Sequence, residues 1–556
     1  MSTSLDRLME RVTSDRLIAM FGALALSVTL YFTVAFFASV NTTASQFSFG
    51  DIIWINQAFW NFTHGRMLQT SVYCQSGEGV IFNPYSYSNQ IAMHVNWFPY
   101  VFSPLYRLMP NINGLYTIVI LWNYLGIGFF AWKLLKHLST DHLKTRLLFV
   151  LSMLVSGSFF SIITYKSLFP LFAGPLIMAL VYFLVSRQKT AFLAAGFLLC
   201  LVSDDSAMLV AWFSVYVFLF HPKERNYAYW LFGLAAAYLA LMILVVVPAT
   251  KYDLTTATHD SADIVIRFKK LASGEYPFYW QDMVRFCAFI VGGFGMLAVF
   301  FPRTSRTDWK KIAGLVFLAP LSHWVITLSQ GGGHHGFPVV TAAFAAMTLY
   351  AGTARYENRS VRKAPLLLGA FLLGLVLVRS NMRSMRYGLI KPQNYARLAA
   401  SDGQVISNKA LLEAASSIPP GASVSYWTNR GLDGFLSSRS DVWRFPRNFD
   451  ETDYLLIQKD GDQGFWEIQP PFDGDLREMA NRGTFYSSGT IAPNREAAAR
   501  IKKGLVDEAG THVVALENDH FIFLKRKDHH DFPMPAFSLG LGWMSNIPKL
   551  GTKRVP

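Results

Sequence analysis

Over the first 379 residues the apolar positions come in long runs and lack the period-two alternation of half-buried strands. A hydrocarbon core ~30 Å thick takes about 20 apolar residues as helix. Runs at 17–40, 115–135, 147–164, 168–186, 190–203, 207–220, 227–248, 284–301, 312–328, 337–353 and 364–379 predict eleven spans. The first run is preceded by acids as well as Arg7, Arg11 and Arg16, and it is too long for the apolar core of a cleavable signal. Two runs are short. Residues 190–203 and 207–220 would each rise only about 21 Å. They predict a hairpin that turns below one surface, with Asp204 and Asp205 at its turn.

The pattern changes after residue 390. Short apolar runs at 422–426, 454–457, 512–516 and 520–524 are separated by Gly, Pro and Asp, and a helical stretch at 494–508 lies between two of them. This predicts a small α/β domain over 395–556, following a membrane domain over 1–390. The sequence carries no repeat with a period of about 20–50 residues.

Composition narrows the class. Only 15% of the 556 residues are charged and 52% are hydrophobic, against roughly 25% charged in soluble domains. An ordinary soluble enzyme and a disordered chain are both excluded. Three cysteines, Cys74, Cys200 and Cys287, exclude a disulfide scaffold and a Cys-based zinc site. The net charge of +14 divides into +12 for residues 1–379 and +2 for 380–556. With a cytoplasmic N-terminus, the inside loops hold 19 Lys and Arg; the longer outside segments hold seven, namely Arg66, Arg107, Lys166, Lys251, Arg267, Lys269 and Lys270. That asymmetry predicts a cytoplasmic N-terminus and an extracytoplasmic C-terminal domain. No basic stripe is interleaved with aromatics, so nucleic acid is not an expected partner.

The candidate chemistry falls in the outer loops. In the first, 41–114, Ser48 and Asp51 open a helix over 49–64 and Gly65 closes it. Its polar stripe, Gln57, Asn61 and His64, runs among Ile, Trp and Phe, a composition suited to the headgroup interface. A second interfacial segment, 97–109, follows His94. Asp51 fits two compatible roles: capping free amides at the helix start, or acting there as an ionised general base. His94 is either a hydrogen-bonded structural residue, a metal ligand or a donor to phosphate. Asp204 and Asp205 are a solvated turn if both flanking runs span fully. Otherwise they are costly carboxylates at membrane depth, able with His94 to hold a divalent cation, the one candidate cofactor. The run QGGGHHGF at 330–337 is either a tight turn or a glycine-lined anion site to which His334 and His335 donate. It lacks the Lys and Ser/Thr of a P-loop. Arg66, directly after the first-loop helix, is the preferred phosphate partner among the outer cations, with an interfacial anchor as the plain alternative.

The run SFGDIIWINQAFWNFTHGR resembles the signature of the domain-of-unknown-function 2079 family of prokaryotic membrane proteins, with Asp51, Gln57, Ala58, Trp60, Asn61 and Gly65 in register. HVNWFPYVFSPLYRLMP, SDDSAML and SVSYWTNRGLDGFLSSRSDVWRFP also fit. Ile52-Ile53 replaces the Leu-Gly after the first acid, and Ser203-Asp204-Asp205 replaces a Lys-Glu-Asp-like triplet. The architecture is similar to that of GT-C glycosyltransferases. The resemblance implies a GT-C-like polytopic membrane protein in a bacterial or archaeal inner membrane, with a polyprenyl-phosphate sugar donor, an unknown acceptor and no nucleotide.

Three function classes follow. The first is a membrane glycosyltransferase working at the outer face, with Asp51 as base; Gln57, Asn61, Arg66, His94, His334 and His335 contact substrate, and Asp204, Asp205 and His94 are the candidate metal ligands. The second is a lipid or small-molecule transporter or flippase; the lack of an inverted repeat and the gathering of polar residues on one face count against it. The third is a non-catalytic envelope protein that binds through its outer domain.

Overall fold

The computed structural model describes residues 52–65, 69–70, 88–89, 96–154 save 140, 169–242, 304–330, 336–355, 415–427 save 420, 438–444 save 440, 451–459, 495–528 save 520, and a few single positions. The protein is mostly helical. Helix α1 (Ile52–Thr63) precedes a two-stranded ladder of β1 (Gln69–Thr70) and β2 (Ser88–Asn89). A 3-10 turn, Phe98–Phe102, leads through α2 (Ser103–Tyr106) into α3 (Ile112–Leu138). Then come α4 (Leu143–Leu154), the 3-10 turn Phe169–Phe172, α5 (Ala173–Val185), α6 (Lys189–Cys200), α7 (Asp204–Phe220), α8 (Arg225–Leu241), α9 (Arg306–Phe317), α10 (Leu321–Gln330) and α11 (Phe337–Thr353).

Among the described residues only α3 is long and apolar enough to cross a membrane alone. Residues 205–220 and 222–241 pass that test as a pair, bent by 120° at their break. Phe169–Val185, Lys189–Cys200 and Phe337–Thr353 are shorter apolar helices. The expected hairpin of short segments is present as α6 and α7. The run 312–328, expected to be one span, is broken: α9 ends at Phe317 and α10 starts at Leu321. Pro320 explains the break, because it has no N–H to give and its ring crowds the preceding turn. The runs 17–40, 284–301 and 364–379 fall wholly or largely outside the described residues.

Helix α11 is the centre of the bundle. Nearly every side chain from Phe337 to Gly352 is buried, as expected of a helix apolar on all sides. Two contacts fix its direction. A Cβ on Gly174, at the start of α5, would lie 2.6 Å from Asn123 Oδ1 and 2.8 Å from Phe337 Cε1, so the N-terminal ends of α5 and α11 meet there. At the other end, Leu138 of α3 packs against Gly352. Gly174→Ala is therefore expected to lower stability by about 1–3 kcal/mol through overpacking. Thermal unfolding in detergent would check this, and an unchanged midpoint would refute the close approach.

Large apolar side chains face outward on α3 (Leu121, Leu125, Phe129) and α8 (Tyr229, Trp230, Phe232). Such surfaces suit hydrocarbon rather than water. Apart from Arg107, the described cations of the loops and helix ends gather where α3 and α11 finish. There Arg146 of α4 donates to the carbonyls of Ala351 and Ala354, the latter at 3.0 Å. Arg187 pairs with Glu224 at 3.1 Å. Lys133 and Lys136 lie 5.2 and 5.5 Å from the Trp132 ring.

In the C-terminal region five strands form one mixed sheet in the order β4-β3-β5-β7-β6, with β3 (Val424–Trp427), β4 (Val442–Arg444), β5 (Tyr454–Gln458), β6 (His512–Glu517) and β7 (Phe521–Arg526). The strands β3, β4 and β5 run parallel, and β7 is antiparallel to both β5 and β6. Helix α12 (Arg495–Lys502) continues into a wider turn, Lys503–Glu508. The Asp453 carboxylate accepts from Ser423 N at 2.9 Å and Ser423 Oγ at 2.8 Å, tying the entries of β3 and β5. Glu517 is clamped by Lys459 at 2.7 Å and Lys502 at 2.5 Å. The hydrogen bonds from Lys459, then Lys502, hold its carboxyl below the ordinary glutamate value. A depressed value means that the clamp stabilises the fold above the unfolded-state pKa and loses that effect as pH falls through the folded-state value. Glu517→Gln is expected to cost less than about 1 kcal/mol near neutral pH, because the group is partly exposed. Unfolding curves of the two proteins should converge in acid; a gap independent of pH would contradict this.

Candidate functional site

Helix α1 is where the first loop meets the rest of the molecule. It stops at Gly65, whose φ of +79° suits a residue without Cβ. Ile55, Ala58 and Phe59 are fully buried, and so are Asn56, Gln57 and Asn61. Phe59 packs between Tyr100 and Tyr106, with ring centroids 4.7 and 5.4 Å away. The helix is enclosed by protein along much of its length. The expected polar stripe is divided: Gln57 and Asn61 face inward, while His64 stacks on Trp60 at 4.2 Å and bonds its carbonyl at 2.8 Å.

Burying an amide costs free energy unless its hydrogen bonds are made. Tyr106 Oη donates to Asn56 Oδ1 at 2.8 Å, and Asn56 Nδ2 donates to Ser438 Oγ at 3.2 Å. Gln57 Nε2 donates to the Arg439 carbonyl at 3.2 Å. Gln57, expected to contact substrate, thus spends this donor on the C-terminal region. Arg107 donates to the Thr63 carbonyl at 3.0 Å, placing a cation at the carboxyl end of α1.

The segment after His94 buries Phe98, Tyr100 and Tyr106 and exposes Val101, Leu105 and Leu108. Those three residues form an exposed apolar row. The same segment reaches the acidic turn: Trp97 N and Phe98 N both donate to the Leu201 carbonyl, at 2.8 and 2.9 Å. Ser203 caps α7, its Oγ accepting from Ser206 N at 3.3 Å. Asp205 sits in the first turn of α7 and is only 5% exposed, so for this carboxylate the solvated-turn alternative fails. The N-terminal end of α7 favours an anion.

On the far side of this end, Phe102 packs on Phe172 at 5.3 Å, and Trp122 Nε1 donates to the Phe172 carbonyl at 3.0 Å. The turn Phe169–Phe172 leads into α5, where Gly174 meets Phe337, the first residue of α11 after the glycine-rich run. The described parts of the first loop, the acidic turn and the start of α11 therefore lie at one end of the bundle, opposite the basic end. Asp51, Arg66, His94, His334 and His335 lie outside the described residues, as does the side chain of Asp204. Among the described residues no three His, Cys, Asp or Glu side chains cluster as a metal site. Sequence reasoning missed Tyr106, Ser438 and Arg439 as partners of α1. The only available signal was that all three fall within stretches fitting the signature.

Residues 53–470 match a family described as predicted membrane protein (DUF2079). The chain belongs to the DUF2079 family. The matched part of this DUF2079 protein takes in α1 from its second residue, the acidic turn, the glycine-rich run and the Ser438–Arg439 segment. Comparison with curated proteins gives no match. Among solved structures the chain is similar to the Archaeoglobus fulgidus oligosaccharyltransferase in its apo form, with 11% identity, a TM-score of 0.35, and coverage of 78% of this chain and 69% of that one. A likeness of that degree fixes neither fold nor activity.

Proposed function

We propose that this DUF2079 protein is a GT-C-type membrane glycosyltransferase that moves a sugar from a polyprenyl-phosphate donor to an acceptor at the outer face of a prokaryotic inner membrane. The observation that carries the reading is the pair of bonds from Trp97 N and Phe98 N to the Leu201 carbonyl. They bring the segment that follows His94 against the acidic turn, and this contact between two candidate regions supports a shared site. The reaction class comes from the resemblance of the sequence's architecture to that of GT-C glycosyltransferases.

In the proposed reaction an acceptor hydroxyl attacks the anomeric carbon, the bond from that carbon to the phosphate oxygen breaks, and Asp51 takes the hydroxyl proton. The products are the inverted glycoside and polyprenyl phosphate. Arg66, His334 and His335 would contact the phosphate. Asn61, enclosed in α1, would act by shaping the wall of the site. A divalent cation on Asp204, Asp205 and His94 would neutralise the departing phosphate. Only Asp205 of these three has a described side chain, and one carboxylate does not define a cation site, so no step is routed through a metal. In this reading the N-terminus is cytoplasmic and the C-terminal α/β domain extracytoplasmic, closing over the donor.

Binding of a polyprenyl phosphate to the purified protein tests the donor class. Saturable binding, weakened by His335→Ala and retained by Asp51→Asn, is the expected result. Binding no stronger than to an unrelated membrane protein would remove the donor from the proposal.

A further inference from the structure

We infer that Asn56 and Gln57 are positioning residues: they lock the first-loop helix to the Ser438–Arg439 segment, so that the C-terminal region sets where the start of α1, and with it Asp51, is held. The role assigned to Asp51 rests on the function proposed above; the lock itself rests on geometry alone.

The two amides sit side by side on α1, both with no exposed surface. Packing alone would be served there by Ala or Leu, which carry no desolvation cost. The amides instead make directed bonds to residues 382 positions away. Asn56 is held from both sides, accepting from Tyr106 and donating to Ser438, which fixes the orientation of its amide. Gln57 grips a backbone carbonyl, and that carbonyl is itself immobilised. The Arg439 guanidinium is buried and donates to the carbonyl of Ile418 at 2.5 Å and to that of Pro419. Pro419 also accepts from Ala422 N at 3.1 Å, just ahead of β3. A continuous chain of bonds thus runs from α1 through Arg439 to the root of the sheet. Buried polar groups with every partner in place specify one register, where an apolar contact would tolerate several.

The coupling has a chemical use. Asp51 immediately precedes α1 in the sequence, and Asn56 lies little more than one helical turn beyond it. Movement of the C-terminal region on taking up an acceptor would pass to α1 through these bonds. The C-terminal region would then act in catalysis by positioning the base, in addition to any acceptor contacts.

The test uses the full chain in lipid nanodiscs, with hydrogen exchange and transfer kinetics read on the same preparations. Ser438→Ala removes the acceptor for Asn56, Ser438→Thr restores a hydroxyl, and Gln57→Leu removes the grip on Arg439. Ser438→Ala and Gln57→Leu are each expected to speed exchange of the α1 amides about tenfold, the consequence of one lost buried hydrogen bond, with α3 and α11 unchanged. The same variants should lower kcat and leave the donor KM in place, and Ser438→Thr should recover both readouts. Unchanged exchange in α1, or equal acceleration throughout the bundle, would overturn the lock. If the wild-type protein transfers no sugar, the exchange arm still decides for or against the lock while the transferase reading falls. If transfer proceeds and α1 exchange is unchanged, the lock falls and the transferase reading stands.

Discussion

Asp51→Asn is expected to reduce sugar transfer by about 10²- to 10⁴-fold, the usual contribution of a positioned general base, while leaving donor binding within about twofold of wild type. Asparagine keeps the size and the capping oxygen, so the helix start is preserved. It cannot take a proton. The loss should therefore fall on kcat, because the acceptor hydroxyl is ionised only as the new bond forms. Single-turnover assays with a labelled donor would separate the two readouts. Equal rates in the variant and the wild type would leave Asp51 with the cap alone.

The largest effect on stability is expected at the opposite end, from Arg146→Met. Arg146 is buried, and it donates to the Asp141 carbonyl at 3.0 Å as well as to Ala351 and Ala354. The last carbonyls of a helix have no partner within it, and those of the central helix α11 are shielded from water. The guanidinium satisfies them and also complements the negative end of the helix dipole. Methionine fills similar volume but offers no donor. The expected loss is about 2–4 kcal/mol, from charged hydrogen bonds and orphaned carbonyls together. Arg146→Lys, with one compact donor group in place of the fork, should fall between them. Below the melting temperature of the variant, donor binding should persist, because the basic end lies away from the proposed site. A variant as stable as wild type would show that these carbonyls find other partners.

Much of the local structure is legible in the sequence because its causes are local. The stop of α1 follows from Gly65. The hairpin of short segments appears as α6 and α7, with the acidic pair beside its turn. The helical stretch at 494–508 appears as Arg495–Lys502 with its wider continuation, and strands fall on the four apolar runs expected of the last 160 or so residues. Strand β4 escapes such a reading because it has three residues inside a Pro-flanked motif, too few for any period to show. The break at Pro320 was visible in the residue but outweighed by the apolar run around it.

The site was legible only in part, for a different reason. Gln57 and Asn61 share a helical stripe, and a stripe of amides reads equally as a face toward substrate or toward protein. What separates the two is the partner of each amide. Ser438 and Arg439 lie hundreds of residues away, and no spacing rule links them to α1. Asp205 shows the same limit: it is buried, and burial of a turn residue depends on tertiary contacts that periodicity cannot anticipate.

The most direct test of the central claim is the release of polyprenyl phosphate from a polyprenyl-phosphate sugar by the purified protein in liposomes supplied with a cell-envelope acceptor fraction. The expected result is that donor is consumed and polyprenyl phosphate appears in equal amount, with the sugar recovered in covalent linkage to an acceptor and with the reaction lost in Asp51→Asn. Movement of labelled donor from one leaflet to the other, with every sugar–phosphate bond intact, would contradict it and identify a transporter.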